Sequence, residues 1–177
     1  TAWPPTCGCI GCALGVNLPK ARVIFADISS EALSVTRRNI SLHRLNPRAV
    51  ALEADALAPP PLRMQNFDLI ACNPPYIAEE ELKSLDRSVL DWEPALALDG
   101  GEDGLVFYRS VLQNWKSVLK DGGWIIFEVG EGQAADVRAL LLAAGFHNLG
   151  CTLDTLGTER VVYAQKKKSI PTDSEEM

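Results

Sequence analysis

The sequence predicts an α/β fold with an open, doubly wound, mostly parallel sheet. Two observations carry this. Short apolar runs alternate with helix-length runs at a spacing that implies right-handed strand–helix–strand crossovers. Each apolar run also stops at a polar residue, as buried strands of an open sheet do where ligands lie beyond their carboxyl ends.

The elements follow in order. Arg22–Ala26 is a short buried strand that ends at Asp27. Ser29 or Ser30 caps a helix from Glu31 to Arg44, since a hydroxyl there accepts an orphan amide and Glu31 suits the positive end. Asn46-Pro47 breaks that helix, and Arg48–Ala54 forms the next strand, ending at Asp55. After the stiff Pro59-Pro60-Pro61, the strand Phe67–Cys72 ends at Asn73-Pro74-Pro75-Tyr76. Residues 77–102 read as a long loop with a short helix, a length that points to function. Leu105–Leu119 is helical. Asp121-Gly122-Gly123 turns into the strand Trp124–Val129, and the helix Glu131–Ala144 closes at Gly145. Two strands near His147–Asp154 and Arg160–Gln165 finish the domain and suggest an antiparallel edge strand. Residues 1–165 are one domain; 166–177, beginning with Lys166-Lys167-Lys168, are expected to be a charged, frayed tail.

Composition narrows the function. The chain has 177 residues, 47% hydrophobic and 23% charged, in the range of one globular domain. Lys and Arg number 17 against 23 Asp and Glu, a formal charge of -6, which disfavours a sequence-independent grip on nucleic acid. No apolar run reaches the ~18–20 residues of a membrane helix. The apolar stretch Cys9–Val16 lacks the basic flank of a secretory signal, and Asn17-Leu18-Pro19 follows it. Five cysteines, an odd number without scaffold density, suggest reduced thiols and a cytoplasmic location. Cys7, Cys9 and Cys12 have no second Cys/His pair at finger spacing, so no metal is expected.

Three strand ends carry candidate chemistry. Asp27 either accepts both hydroxyls of a ribose or caps the helix after it. Asp55, followed by Ala56, either borders an adenine amino group or closes a turn. Asn73-Pro74-Pro75-Tyr76 is the sharper signal. Two prolines fix the backbone and remove two amide donors, leaving the Pro74 carbonyl and the Asn73 oxygen to accept from one NH2 group. Tyr76 adds a flat wall with a polar tip. Such a set can hold a weakly nucleophilic amide nitrogen toward an electrophile.

With the strand Phe67–Ile70 before it, this tetrapeptide resembles that of the S-adenosylmethionine-dependent amino methyltransferases. The block Asp91-Trp-Glu-Pro-Ala-Leu-Ala-Leu-Asp-Gly-Gly-Glu-Asp-Gly-Leu105, then Phe107-Tyr108-Arg109, is similar to one in the HemK/PrmC group, and so is Phe127-Glu128-Val129-Gly130 with Gln133. The resemblance runs from about Gly8 to Gln165. It implies a Rossmann-like class I methyltransferase that transfers methyl from S-adenosylmethionine to a glutamine side-chain nitrogen in the Gly-Gly-Gln loop of a peptide-chain release factor. The compartment would be the cytoplasm, or an organelle in a eukaryote. Gly8, Asp27, Asp55, Ala56 and Asn73 would bind the cofactor. Asn73, Pro74 and Tyr76 would be catalytic, and these with Pro75 and Glu93 would hold the substrate. No metal is required, and neither a membrane nor direct nucleic-acid binding is expected. The family's glycine-rich loop aligns with Pro4-Pro5-Thr6-Cys7-Gly8, where only Gly8 matches, and its first strand has no counterpart ahead of that loop. The alternatives are a nucleic-acid amino methyltransferase and a non-catalytic remnant with an altered cofactor loop.

Overall fold

The computed structural model describes residues 8–61, 64–84 and 95–168. Among them the strands form two sheets. In the first, β1 (Val23–Asp27) pairs in parallel with β2 (Ala49–Glu53), joined by helix α2 (Ser30–Leu42). In the second the order is β3-β4-β6-β5, with β3 (Phe67–Cys72) parallel to β4 (Leu119–Glu128). The last two strands, β5 (Phe146–Leu153) and β6 (Glu159–Lys166), form an antiparallel hairpin.

The expected antiparallel strand is present as β6, one place in from the edge, between β4 and the outer strand β5. Burial explains the order. Val162 and Ala164 of β6 are fully buried, as a central strand requires, whereas Leu153 of β5 is exposed. β6 also runs through Lys166, which pairs with Phe146, so the strand extends past the expected boundary at 165.

Two further differences have local causes. Asp121-Gly122-Gly123 does not separate a helix from a strand; it is a bulge inside β4, where the register jumps from Leu119 to Trp124 while β3 advances from Phe67 to Leu69. Gly122 takes φ 77 there. Helix α1 (Cys9–Asn17) has no counterpart in the expected elements. Its apolar residues lie all around it, so no stripe stands out. Its buried face is instead made of small residues. A β-carbon on Gly11 would meet the Phe25 ring at 2.3 Å and one on Gly15 would meet Leu45 at 2.9 Å. Arg48 on the β2 side closes the end of this helix, donating to the carbonyls of Gly15, Leu18 and Ala21.

The main core lies between the second sheet, the helical run after residue 105 and α6 (Ala134–Ala143). Full burial of Ile125 and Phe127 contributes about 1.5–3 kcal/mol each. That helical run, α5, starts as Val106–Ser110, widens into a π-turn over Val111–Trp115 and tightens into a 3-10 turn over Lys116–Val118. Short helices α3 (Glu79–Leu82) and α4 (Ala95–Leu98) precede it. Between the facing sides of β1 and β3 runs an apolar groove of about 190 Å³, with Trp115 and Val118 also lining it.

Candidate active site

The two aspartates sit side by side at the carboxyl ends of β1 and β2. Asp27 is in register with Glu53, and the amide of Ala54 donates to the Asp27 carbonyl at 3.0 Å. Asp27 Oδ1 accepts from the amide of Ser29 at 2.8 Å, and Ser29 in turn caps α2 through the Ala32 amide at 3.2 Å. Asp55 repeats the pattern, Oδ1 accepting from Leu57 N at 2.8 Å. Each carboxylate therefore closes a local turn with one oxygen. Its Oδ2 meets no donor among the described residues, so the turn reading and the ligand reading coexist.

Three side chains of α5 fix the loop after β2. Ser110 donates to the carbonyl of Ala56 at 2.9 Å, Asn114 to Leu57 at 3.1 Å and Trp115 to Ala58 at 3.0 Å. The π-turn brings Trp115 back toward the side of Ser110, so all three reach one loop. Ala56 is thereby held beside the groove, which Ala26, Ala54 and Cys72 also line. These residues are the sequence neighbours of Asp27, Asp55 and Asn73, which do not themselves line the groove. Gly8 starts α1 with φ 68, and a β-carbon on it would stand 2.9 Å from Thr36 and 3.0 Å from the Phe25 ring.

At the end of β3, Asn73 is exposed and its side chain has no hydrogen bond to a described residue. Pro74 behind it is buried, and Pro75 and Tyr76 are half-buried. The segment that follows is tied down by backbone bonds: Ile77 N to Leu98 O at 3.0 Å, Gly100 N to Ile77 O at 2.8 Å, and Glu79 N to Gly101 O at 3.1 Å. Residues 98–101 thus run along 77–79, which brings the glycines of the 91–105 block against the Tyr76 turn. Glu93 and the first residues of that block lie outside the described residues.

The sequence marks Gln133 only with the Phe127–Gly130 family stretch, and the structure gives it a place. Its Nε2 donates to the Tyr76 carbonyl at 2.8 Å, while its Oε1 accepts from Gly130 N at 3.0 Å. The signal in the sequence was a glutamine directly between a strand end and a helix, three residues after a glycine.

Charges near the site are settled locally. Arg109 grips Asp103 through both guanidinium nitrogens, at 2.9 and 2.8 Å, and holds its carboxyl down to about 2. Burial pushes the Cys72 thiol up to about 12, so it is no nucleophile near neutral pH. Burial also raises Tyr108, whose hydroxyl donates to the Glu128 carbonyl at 2.9 Å. Cys12, Cys72 and Cys151 are free thiols. Cys9 is disulfide-bonded, which departs from the expectation of reduced cysteines throughout. Among the described residues, no three His, Cys, Asp or Glu side chains converge to hold a metal ion.

The arrangement offers two half-engaged carboxylates, a glycine-started helix and a free carboxamide on a rigid turn. Oδ2 of each aspartate is an open acceptor for hydroxyl or amine donors of a nucleoside, which fits a group such as S-adenosylmethionine. The comparisons with known proteins agree in kind. The family model described as methyltransferase small domain matches residues 6–125. The chain is 39% identical over 159 residues to a release factor glutamine methyltransferase of Clostridium botulinum, covering 90% of this chain and 56% of that protein. It is 40% identical over 159 residues to one of Caulobacter vibrioides, covering 90% and 54%. The chain thus spans about half the length of the curated relatives it matches. Among solved structures, the hMettl16 catalytic domain in complex with MAT2A 3'UTR hairpin 6 superposes with TM-score 0.69 at 15% identity, over 95% of this chain and 64% of that one. A methyltransferase from Pyrococcus furiosus superposes with TM-score 0.62 at 14% identity, over 88% and 68%. At that identity the likeness shows the Rossmann-like methyltransferase fold.

Proposed function

Since the chain belongs to the methyltransferase small domain family, we propose that it transfers a methyl group from S-adenosylmethionine to the side-chain nitrogen of a glutamine in a peptide-chain release factor. One observation carries the reading: the Asn73 carboxamide, with no hydrogen bond to a described residue, stands on the Pro74-Pro75 turn at the end of β3, while Asp27 and Asp55 each leave Oδ2 without a donor among the described residues just past β1 and β2. The named activity of the relatives supports the choice of glutamine.

In this reading Asp27 Oδ2 accepts from ribose hydroxyls, and Asp55 with Ala56 borders the adenine. Gly8, lacking a side chain, lets the start of α1 pack closely beside them. The bound cofactor supplies an electrophilic methyl on a positively charged sulfur. Asn73 Oδ1 and the Pro74 carbonyl accept the two hydrogens of the substrate amide and so orient its nitrogen lone pair. Tyr76 walls the amide, and Pro75 keeps the turn stiff. Glu93 and the glycines that follow it in the sequence shape the entry for the Gly-Gly-Gln loop. Both acceptors are neutral, so the proton lost from nitrogen passes to solvent. The work of the site is positioning rather than acid–base chemistry.

No helix among the described residues is long and apolar enough to cross a membrane. A release factor substrate puts the reaction where translation ends, in the cytoplasm or, in a eukaryote, in an organelle as well.

The test supplies methyl-tritiated cofactor with a release factor, with the same factor carrying Ala for the loop glutamine, and with a single-stranded oligonucleotide. Label should enter the first protein alone. Label on the oligonucleotide would favour a nucleic-acid amino methyltransferase. Label on none, with no binding of S-adenosylhomocysteine by calorimetry, would identify a non-catalytic remnant.

A further inference from the structure

We propose that Gln133 is a positioning residue for this transfer: its side-chain amide straps the carbonyl of Tyr76 to the amide of Gly130 and so sets the Asn73–Tyr76 turn. The inference rests on the functional reading above for its kinetic part and on geometry alone for the strap.

Gln133 occupies the position just before α6, where a polar side chain commonly turns back to cap the first amides of its helix. It makes no such bond. Both ends of its amide reach other segments instead, each with the right polarity: N–H to the Tyr76 carbonyl and oxygen from the Gly130 amide. Those segments are the loops after β3 and β4, two parallel neighbours whose last paired residues are Cys72 and Phe127. The strap therefore spans the two strand ends just beyond the sheet, where ladder bonds stop.

The turn needs such a handle. Pro74 and Pro75 have no amide hydrogen, so no donor on them can anchor the turn. The Tyr76 carbonyl shares its peptide plane with the Ile77 amide, which donates to Leu98, so with Gln133 on the carbonyl both sides of the plane at the exit of the turn are held.

Three glycines from two segments, Gly130 after β4 and Gly100 and Gly104 of the 99–105 loop, clear the space around this contact. A β-carbon on Gly130 would stand 2.8 Å from Gln133 Oε1 and 3.0 Å from the Tyr76 ring. One on Gly104 would stand 2.6 Å from Gln133 Nε2, and one on Gly100 would stand 2.8 Å from the Tyr76 backbone. A glutamine that merely filled volume would not need bare backbone at both ends of its amide, Gly130 beside Oε1 and Gly104 beside Nε2.

The experiment compares Gln133→Leu and Gln133→Glu with the parent chain by amide hydrogen exchange and by methyl-transfer kinetics. In Gln133→Leu, the amides of Gly130, Ile77 and Gly100 should lose protection. The value of kcat should fall about 30- to 100-fold, the scale of a small misplacement of reacting groups, while KM for the cofactor stays within about threefold. Gln133→Glu keeps the acceptor for Gly130 but lacks the donor to Tyr76 until its carboxyl is protonated. Its kcat relative to the parent should therefore recover as pH falls from about 8 to about 5, which lost packing could not produce. Parental protection at Ile77 and Gly100 would overturn the strap. A kcat within threefold of the parent in Gln133→Leu would overturn the positioning role. A parent chain that methylates no release factor would defeat the functional reading and with it the kinetic role, and the exchange data would still decide the strap.

Discussion

A β-carbon on Gly104 would stand 2.5 Å from the carbonyl oxygen of Tyr76. The contact is with backbone, so no side-chain rotation relieves it, and Gly104 also has φ +72. Gly132 has a similar φ of +79 but nothing within 4 Å, which makes it the control for conformation alone. Gly132→Ala should cost about 1–2 kcal/mol, the left-handed penalty, or roughly 2–8 °C of Tm. Gly104→Ala should cost at least about twice as much and lower turnover as well, because it displaces the Tyr76 turn. Thermal melts of the two variants, with methyl-transfer rates, check this. Equal melting losses would show that the 99–105 loop moves aside freely.

Asp27 has two oxygens with separate work, and Asp27→Asn separates them. Asparagine keeps an acceptor for the Ser29 amide and removes the charge. Stability should change by less than about 0.5 kcal/mol, as for a substitution that breaks no buried feature. Cofactor affinity should fall about 10- to 100-fold, the worth of charge-assisted hydrogen bonds to ribose hydroxyls. Calorimetry with S-adenosylhomocysteine gives both readings on one sample. An unchanged Kd would leave Asp27 as a turn residue only.

The ion pair of Asp103 with Arg109 sets an acid limit on the 99–105 loop. The folded carboxyl titrates at about 2, below its unfolded value of about 3.9. A depressed folded pKa adds stability that is fully present above the unfolded value and lost as pH falls through the folded one. The loop should therefore loosen between about pH 4 and pH 2 and be indifferent to pH above that. In Arg109→Gln the carboxyl should return toward its ordinary range. Carboxyl NMR titration of Asp103 in both proteins measures it. With Asp103 and Arg109 both about half exposed, the effect on the global melt should be small. An Asp103 midpoint near 4 in the parent would show that the ion pair does not persist in solution.

The strands were legible because local signals agreed. Val23–Asp27, Ala49–Glu53 and Phe67–Cys72 all lie within a residue or two of the apolar runs that announced them. The Ser29 cap was legible for the same reason, a hydroxyl before an amphipathic run. Strand order was not, since nothing local to Arg160–Gln165 says that it inserts beside β4. Only its pairing in the fold, antiparallel with β4 on one side and β5 on the other, does so. Helix α1 was hidden because glycines, which disfavour helices, make its packing face; the spacing of Gly8, Gly11, Cys12 and Gly15 was the available clue. At the site, the three strand-end residues could be named from the sequence, and the groove lined by their neighbours Ala26, Ala54, Ala56 and Cys72 could not. The Gln133 bridge joins residues 57 positions apart, a distance no motif at one strand end can express.

The last prediction concerns Asn73. A glutamine amide is neutral, its lone pair is delocalised into its carbonyl, and free in water it scarcely attacks a sulfonium. Rate must come from holding nitrogen, methyl carbon and sulfur in line. Asn73 is exposed and makes no hydrogen bond to a described residue, so its truncation breaks no hydrogen bond among them, and the buried Pro74 keeps the turn in place. Asn73→Ala should therefore fold as the parent does, with Tm within about 2 °C. Methyl transfer should fall at least ~100-fold, about 2.7 kcal/mol of barrier, while cofactor affinity falls less. Asn73→Asp keeps the shape but sets a charge beside the positive sulfur. That charge favours the ground state over the charge-dispersed transition state, so this variant should also be slow despite binding the cofactor at least as well. Rates from tritium transfer and affinities from calorimetry separate the two effects. Turnover of Asn73→Ala within a few-fold of the parent would make the Asn73–Tyr76 turn structural and end the positioning mechanism.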